Sequence, residues 1–93
     1  MNALPKYVEL IDPMIKVICN VEKPMTNKEI ESGVIELLGI PRELVSVIHS
    51  GKRTELQYRL GWAKTRAKSL GYLTSPARET WEVTPKGRAR VMK

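Results

Sequence analysis

Lys52, Arg53, Gln57, Tyr58, Gly61, Lys64, Thr65 and Lys68 fall within one short stretch, and Arg78 follows a few residues later. These side chains suit nucleic-acid binding. Gln57 has the geometry to pair bidentately with adenine, and Tyr58 reaches a phosphate or a thymine methyl. The absent side chain at Gly61 would let a helix sit close to a groove floor. Lys64, Thr65 and Lys68 lie where phosphates would run. Lys52 and Arg53 precede the helix, so their charges add to the free amides of its first turn. Arg78 is placed to enter a minor groove or grip the flanking backbone. Bond-breaking chemistry has far less support. One histidine, His49, one cysteine, Cys19, and one aspartate, Asp12, assemble no nucleophile, base and orienting group, no metal-ligand cluster and no internal disulfide. No catalytic residue, cofactor or metal is therefore expected.

These residues need a helix and a hairpin to hold them. Thr54 with Gln57 has capping-box form, and Gly71 is a stop signal, so residues 54–70 read as a long helix. At 100° per residue, Leu56, Leu60, Ala63, Ala67 and Leu70 form one stripe, while Gln57, Tyr58, Gly61, Lys64, Thr65 and Lys68 lie broadly opposite. Arg59, Trp62 and Arg66 fall on the boundary. Tyr72-Leu73-Thr74 and Thr80-Trp81-Glu82-Val83 have strand composition and are joined by turn residues, so 72–83 reads as a hairpin with Arg78 near its tip.

Upstream, Asp12-Pro13 has the form of a cap and first helical residue, followed by Met14, Val17, Ile18 and Val21 at helical spacing. Leu4, Tyr7, Leu10 and Ile11 suggest a short amphipathic turn or helix that Pro13 kinks or interrupts. Thr26-Asn27-Lys28-Glu29 is a second capping box, opening a helix that ends at Gly39 and Pro41. Pro41 to Ile48 reads as a short helix, with an extended piece as the alternative because of its β-branched residues. Ser50 to Arg53 is a loop, and Thr84-Pro85 starts a terminal helical turn.

With 93 residues the chain has room for one domain, residues 1–93, and no large substrate cavity. Sixteen Lys and Arg against ten Asp and Glu give +6, which favours a polyanionic partner. The charge is uneven. Residues 52–93 hold eleven cations and three carboxylates, a net +8, whereas residues 1–51 carry −2. That excess coincides with the long helix, hairpin and tail, and it separates DNA binding from protein docking. No apolar run is long enough to span a membrane and the N-terminus lacks a signal-peptide core, so the cytoplasm is the expected location and no membrane partner is expected.

Each residue also has a structural reading. Lys64 and Lys68 fit an ordinary solvated helix face, and Arg59 fits a structural ion pair as well as a DNA contact. In a chain without Phe, Trp62 and Trp81 read as core fillers. His49 reads as a packing or capping residue, and Cys19 as a small buried hydrophobe.

Five motifs in order carry a resemblance: Leu4-Pro5-Lys6-Tyr7, Pro13, Arg59-Leu60-Gly61-Trp62-Ala63, Gly71-Tyr72-Leu73, and Trp81-Glu82-Val83-Thr84-Pro85-Lys86-Gly87. In these the chain resembles the N-terminal winged-helix domain of Mrr-type restriction endonucleases. The resemblance implies a domain that binds double-stranded DNA and delivers a separate nuclease domain lying outside this chain. That nuclease needs a metal-binding Asp with a downstream Glu-x-Lys or Gln-x-Lys. Asp12 has no such motif after it, so catalysis is not carried over. The expected fold is an α+β winged helix-turn-helix, with a three-helix core, an additional short helix and a C-terminal β-hairpin wing. Residues 54–70 would be the recognition helix. A protein-interaction winged helix or a small transcription regulator is the alternative, and the oligomeric state, target sequence and base modification are left open.

Overall fold

A computed structural model describes residues 1–92. Helix α1 runs from Tyr7 to Cys19 and buries Leu10, Ile11, Met14, Ile15, Val17 and Ile18. Pro13 lies inside this helix and does not interrupt it. Proline removes the amide that would bond the Glu9 carbonyl, at a cost of about 3 kcal/mol. Leu10 and Ile11 lie before Pro13, Met14 and Ile15 after it, and all four belong to one buried face. Burying each such side chain is worth about 1.5–3 kcal/mol, so keeping the face continuous outweighs the lost bond. Asp12 is accordingly not a cap. Its carboxylate pairs with Arg90 at 2.6 Å.

Strand β1, Met25–Thr26, leads into α2, Asn27–Leu38. The capping box read from the sequence is formed: Glu29 N donates to Thr26 Oγ1 at 3.1 Å, and Thr26 N donates to Glu29 Oε1 at 2.9 Å. Gly39 closes α2 in the left-handed conformation, and Ile40 returns to the core. The next helix, α3, is a single turn over Arg42–Val45. The chain then becomes extended, because β-branched Val45, Val47 and Ile48 resist further helix. Strands β2, Ile48–Ser50, and β3, Arg53–Thr54, form a small antiparallel hairpin turning at Gly51 and Lys52. Both the longer helix to Ile48 and the plain loop at 50–53 are thus corrected.

Helix α4, Glu55–Ser69, starts at Thr54, whose Oγ1 accepts from Gln57 N. Strands β4, Leu73–Thr74, and β5, Thr80–Val83, form the expected hairpin, and β1 adds to its other edge to give the order β1-β5-β4. Met25 lies opposite Trp81, and Leu73 opposite Val83. Helix α5, Pro85–Val91, closes the domain against α1. The protein is therefore α+β. Helix α1 is central and packs on α2, α4, α5 and β5. No helix among the described residues is long and apolar enough to cross a membrane.

The closing motif from Trp81 to Gly87 has a definite mechanical role. Thr84 donates its hydroxyl to the Gly71 carbonyl, accepts from Gly87 N at 3.1 Å, and donates its own amide to the Tyr72 carbonyl at 3.0 Å. Gly87 is buried, and a Cβ there would strike the Tyr72 carbonyl oxygen. Backbone cannot move aside as a side chain can. Gly87→Ala should therefore lower stability by about 1–3 kcal/mol, despite the better helix propensity of alanine. Urea denaturation of the two proteins checks this value.

Candidate nucleic-acid interface

Core packing along Leu56, Leu60, Ala63 and Ala67 turns Thr65, Lys68 and Ser69 of α4 outward with Trp62, and leaves Tyr58 and Gly61 half-buried. Lys52 is exposed at the β2-β3 turn. Arg53 comes from β3 and lies across α4: a Cβ at Gly61 would stand 2.6 Å from its Nη2. The guanidinium carbon is also 5.6 Å from the centroid of the Tyr58 ring. The space left open at Gly61 is thus occupied by Arg53, not free to admit a groove floor. Thr65 is exposed, and its Oγ1 donates to the Gly61 carbonyl at 3.0 Å. Arg53, Tyr58, Gly61, Trp62 and Thr65 together line a shallow groove of about 310 Å³.

Lys64 departs from the expected phosphate-facing position. It is only 7% exposed, and its Nζ donates to Asn27 Oδ1 at 3.0 Å. Trp81 Nε1 donates to the same oxygen at 2.8 Å, so Asn27 joins α2, α4 and β5. Burial pushes the Lys64 ammonium below the usual lysine range, with Glu31 opposing the shift, Arg53 adding to it and Glu79 opposing it. Gln57 is also engaged. Its Oε1 accepts from Thr54 N at 3.0 Å and its Nε2 donates to Glu31 at 3.2 Å, so both ends of the amide are already held within the domain. Asn27, Lys28, Glu31, Arg53, Gln57 and Lys64 line a cleft of about 410 Å³, together with Leu60 and Glu79. Both departures had a sequence signal. Leu56, Leu60 and Lys64 stand four residues apart on one row, and Gln57 was already half of a capping box.

Beside the β2-β3 hairpin, Glu55 receives Arg59 Nε at 2.7 Å and contacts His49 Nδ1 at 2.8 Å. Arg59, then His49, hold the Glu55 carboxyl below the ordinary glutamate range. Arg59 also donates to the carbonyls of Leu4 and Pro5, which settles it as a structural group. His49 stacks on Tyr58 with centroids 3.7 Å apart and planes at 11°. Arg78 is exposed in the connection of the β4-β5 hairpin. Trp81 is half-buried, whereas Trp62, expected in the core, is 51% exposed. The lack of Phe argues for using both indoles as filler, but aliphatic residues with Met14 and Met25 fill the core without Trp62.

The buried lysine yields a stability prediction. Lys64→Glu should cost about 3 kcal/mol by placing a third carboxylate beside Glu31 and Glu79, while Lys64→Met should fold normally. Because the folded-state pKa of Lys64 is depressed, the unfolded chain binds more protons between that value and the ordinary lysine pKa. Stability from this group therefore rises with pH across that window, and Lys64→Met should remove the rise. Thermal denaturation at neutral and alkaline pH measures both effects.

Among known proteins, no curated protein matches the chain, and no solved structure does. The family model described as Mrr N-terminal domain matches residues 7–93, a span that takes in α1 to α5 and every element of the groove, the cleft and the two hairpins. The chain belongs to the Mrr N-terminal domain family.

Proposed function

We propose that this domain is a DNA-binding winged helix of an Mrr-type restriction system, with α4 as recognition helix and the β4-β5 hairpin as wing. The order α1, β1, α2, α4, β4, β5 and the sheet order β1-β5-β4 support the winged-helix reading. Family membership supports the link to restriction. In this reading a nuclease domain outside the chain does the cutting, and the domain works in the cytoplasm on double-stranded DNA.

One observation carries the proposal. Among the described residues, ion pairs engage Arg59 and Arg90 but none of Lys52, Arg53, Arg66, Lys68 and Arg78, all of which are exposed. These charges sit on α4 and on the two adjoining hairpins. A solvated face usually mixes signs, whereas cations without partners suit a phosphate track. Lys52 and Arg53 would meet the backbone near the start of α4, Lys68 and Arg66 further along, and Arg78 beyond the wing. Tyr58 and Thr65 supply polar contacts between them.

Fluorescence anisotropy with a random-sequence duplex tests the reading. Neutralising five phosphates gives a log-log salt slope of about −4 to −5. The double variant Arg66→Glu, Lys68→Glu should lose affinity by at least about tenfold and reduce the slope by about two. Retained affinity in a folded double variant sinks the assignment of this face. Arg78→Ala should weaken binding evenly across sequences and reduce the slope by about one, and a sharp change in base preference would contradict its backbone role. A preference for methylated over unmodified duplex in the same assay would support targeting by modification.

A further inference from the structure

Trp62 is the one large ring on the outward side of α4 that no other ring stacks upon among the described residues. Tyr58, one turn earlier, is different. His49 covers it at 3.7 Å, and the Arg53 guanidinium lies 5.6 Å from its centroid. Its remaining aromatic contact is with Trp62, at 6.4 Å and 80°, an edge-on arrangement that fixes the indole without stacking on it. Trp62 is therefore held in place with half its surface in water.

The surroundings of this indole define what it would accept. On one side, Arg53 and Thr65 give the groove a cationic and hydroxyl-bearing rim. On the other, Tyr7 and Tyr58 continue it as a shallow apolar surface. A flat ring with polar edges fits such a wall, and Arg66, exposed one turn further along α4 from Trp62, is the cation placed for an attached phosphate. A paired base cannot reach an indole face, because a duplex groove presents only base edges. A base that has left the stack can.

Resting on the DNA reading above, we propose that Trp62 is a stacking platform for one unpaired nucleobase, so that the domain prefers DNA carrying a bulged or unpaired base over the same sequence fully paired. Stacking on an aromatic side chain is worth about 1–3 kcal/mol per base, which corresponds to a preference of about 5- to 150-fold. Arg53 would lie against the edge of the stacked base, and the Tyr58 ring would keep the indole from rotating away.

The test compares a fully paired duplex with one carrying a single-base bulge, by anisotropy at fixed salt, together with tryptophan fluorescence in a Trp81→Phe background where Trp62 is the sole emitter. The expected result is tighter binding of the bulged duplex, quenching of Trp62 on binding it, and a preference ratio that falls to near one in Trp62→Ala and is partly kept in Trp62→Phe. Equal affinity for both duplexes without quenching overturns the platform while leaving the DNA reading intact. Failure to bind either duplex overturns both. Trp62-dependent self-association with no DNA binding would assign the surface to a second copy of the chain, and likewise overturns the platform.

Discussion

Helix α1 must stay whole for anything else to pack. Leu10, Met14 and Ile15 are fully buried, and the helices and strands that carry the candidate interface lean on the face they form. Pro13 would ordinarily break that face in two. It does not, because the Glu9 carbonyl it leaves unpaired belongs to an exposed residue, where water can replace the missing amide, while the apolar residues on either side have no substitute for burial. The position of α4, and hence of its outward side chains, follows from this one unbroken surface.

A second constraint is polar. Asn27 Oδ1 receives both Lys64 and Trp81, and the Asn27 amide donates to the Glu79 carbonyl at 3.1 Å. One residue at the start of α2 thereby fixes the middle of α4 and the two residues that flank Thr80, where the chain enters β5. The β4-β5 hairpin and the long helix are registered to each other through a side chain that belongs to neither. Such an arrangement gives the two-residue strand β1, which leads directly into Asn27, more rigidity than its ladder alone supplies.

Much of the architecture was legible from local signals. Thr26 with Glu29, Thr54 with Gln57 and Thr84 with Pro85 each opened a helix where the chemistry of backbone donors required one. What escaped were outcomes decided by distant residues. Pro13 is a breaker by propensity, and only the burial of Leu10 beside Met14 overrules it. Lys64 reads as solvated until Asn27, more than thirty positions away, supplies an acceptor. Trp62 reads as core until the aliphatic side chains are seen to fill the interior without it. The β2-β3 hairpin was hidden for another reason: two short strands with exposed faces leave no periodicity to read.

The buried ammonium of Lys64 couples anything that approaches its cleft to the hydrogen-ion concentration. An anion drawn near would strengthen the hold of Lys64 on its proton, and thermodynamic reciprocity makes that proton strengthen the hold on the anion by the same factor. Association in alkaline solution would then take up protons from the buffer, a quantity that calorimetry in buffers of different ionisation heat reads directly.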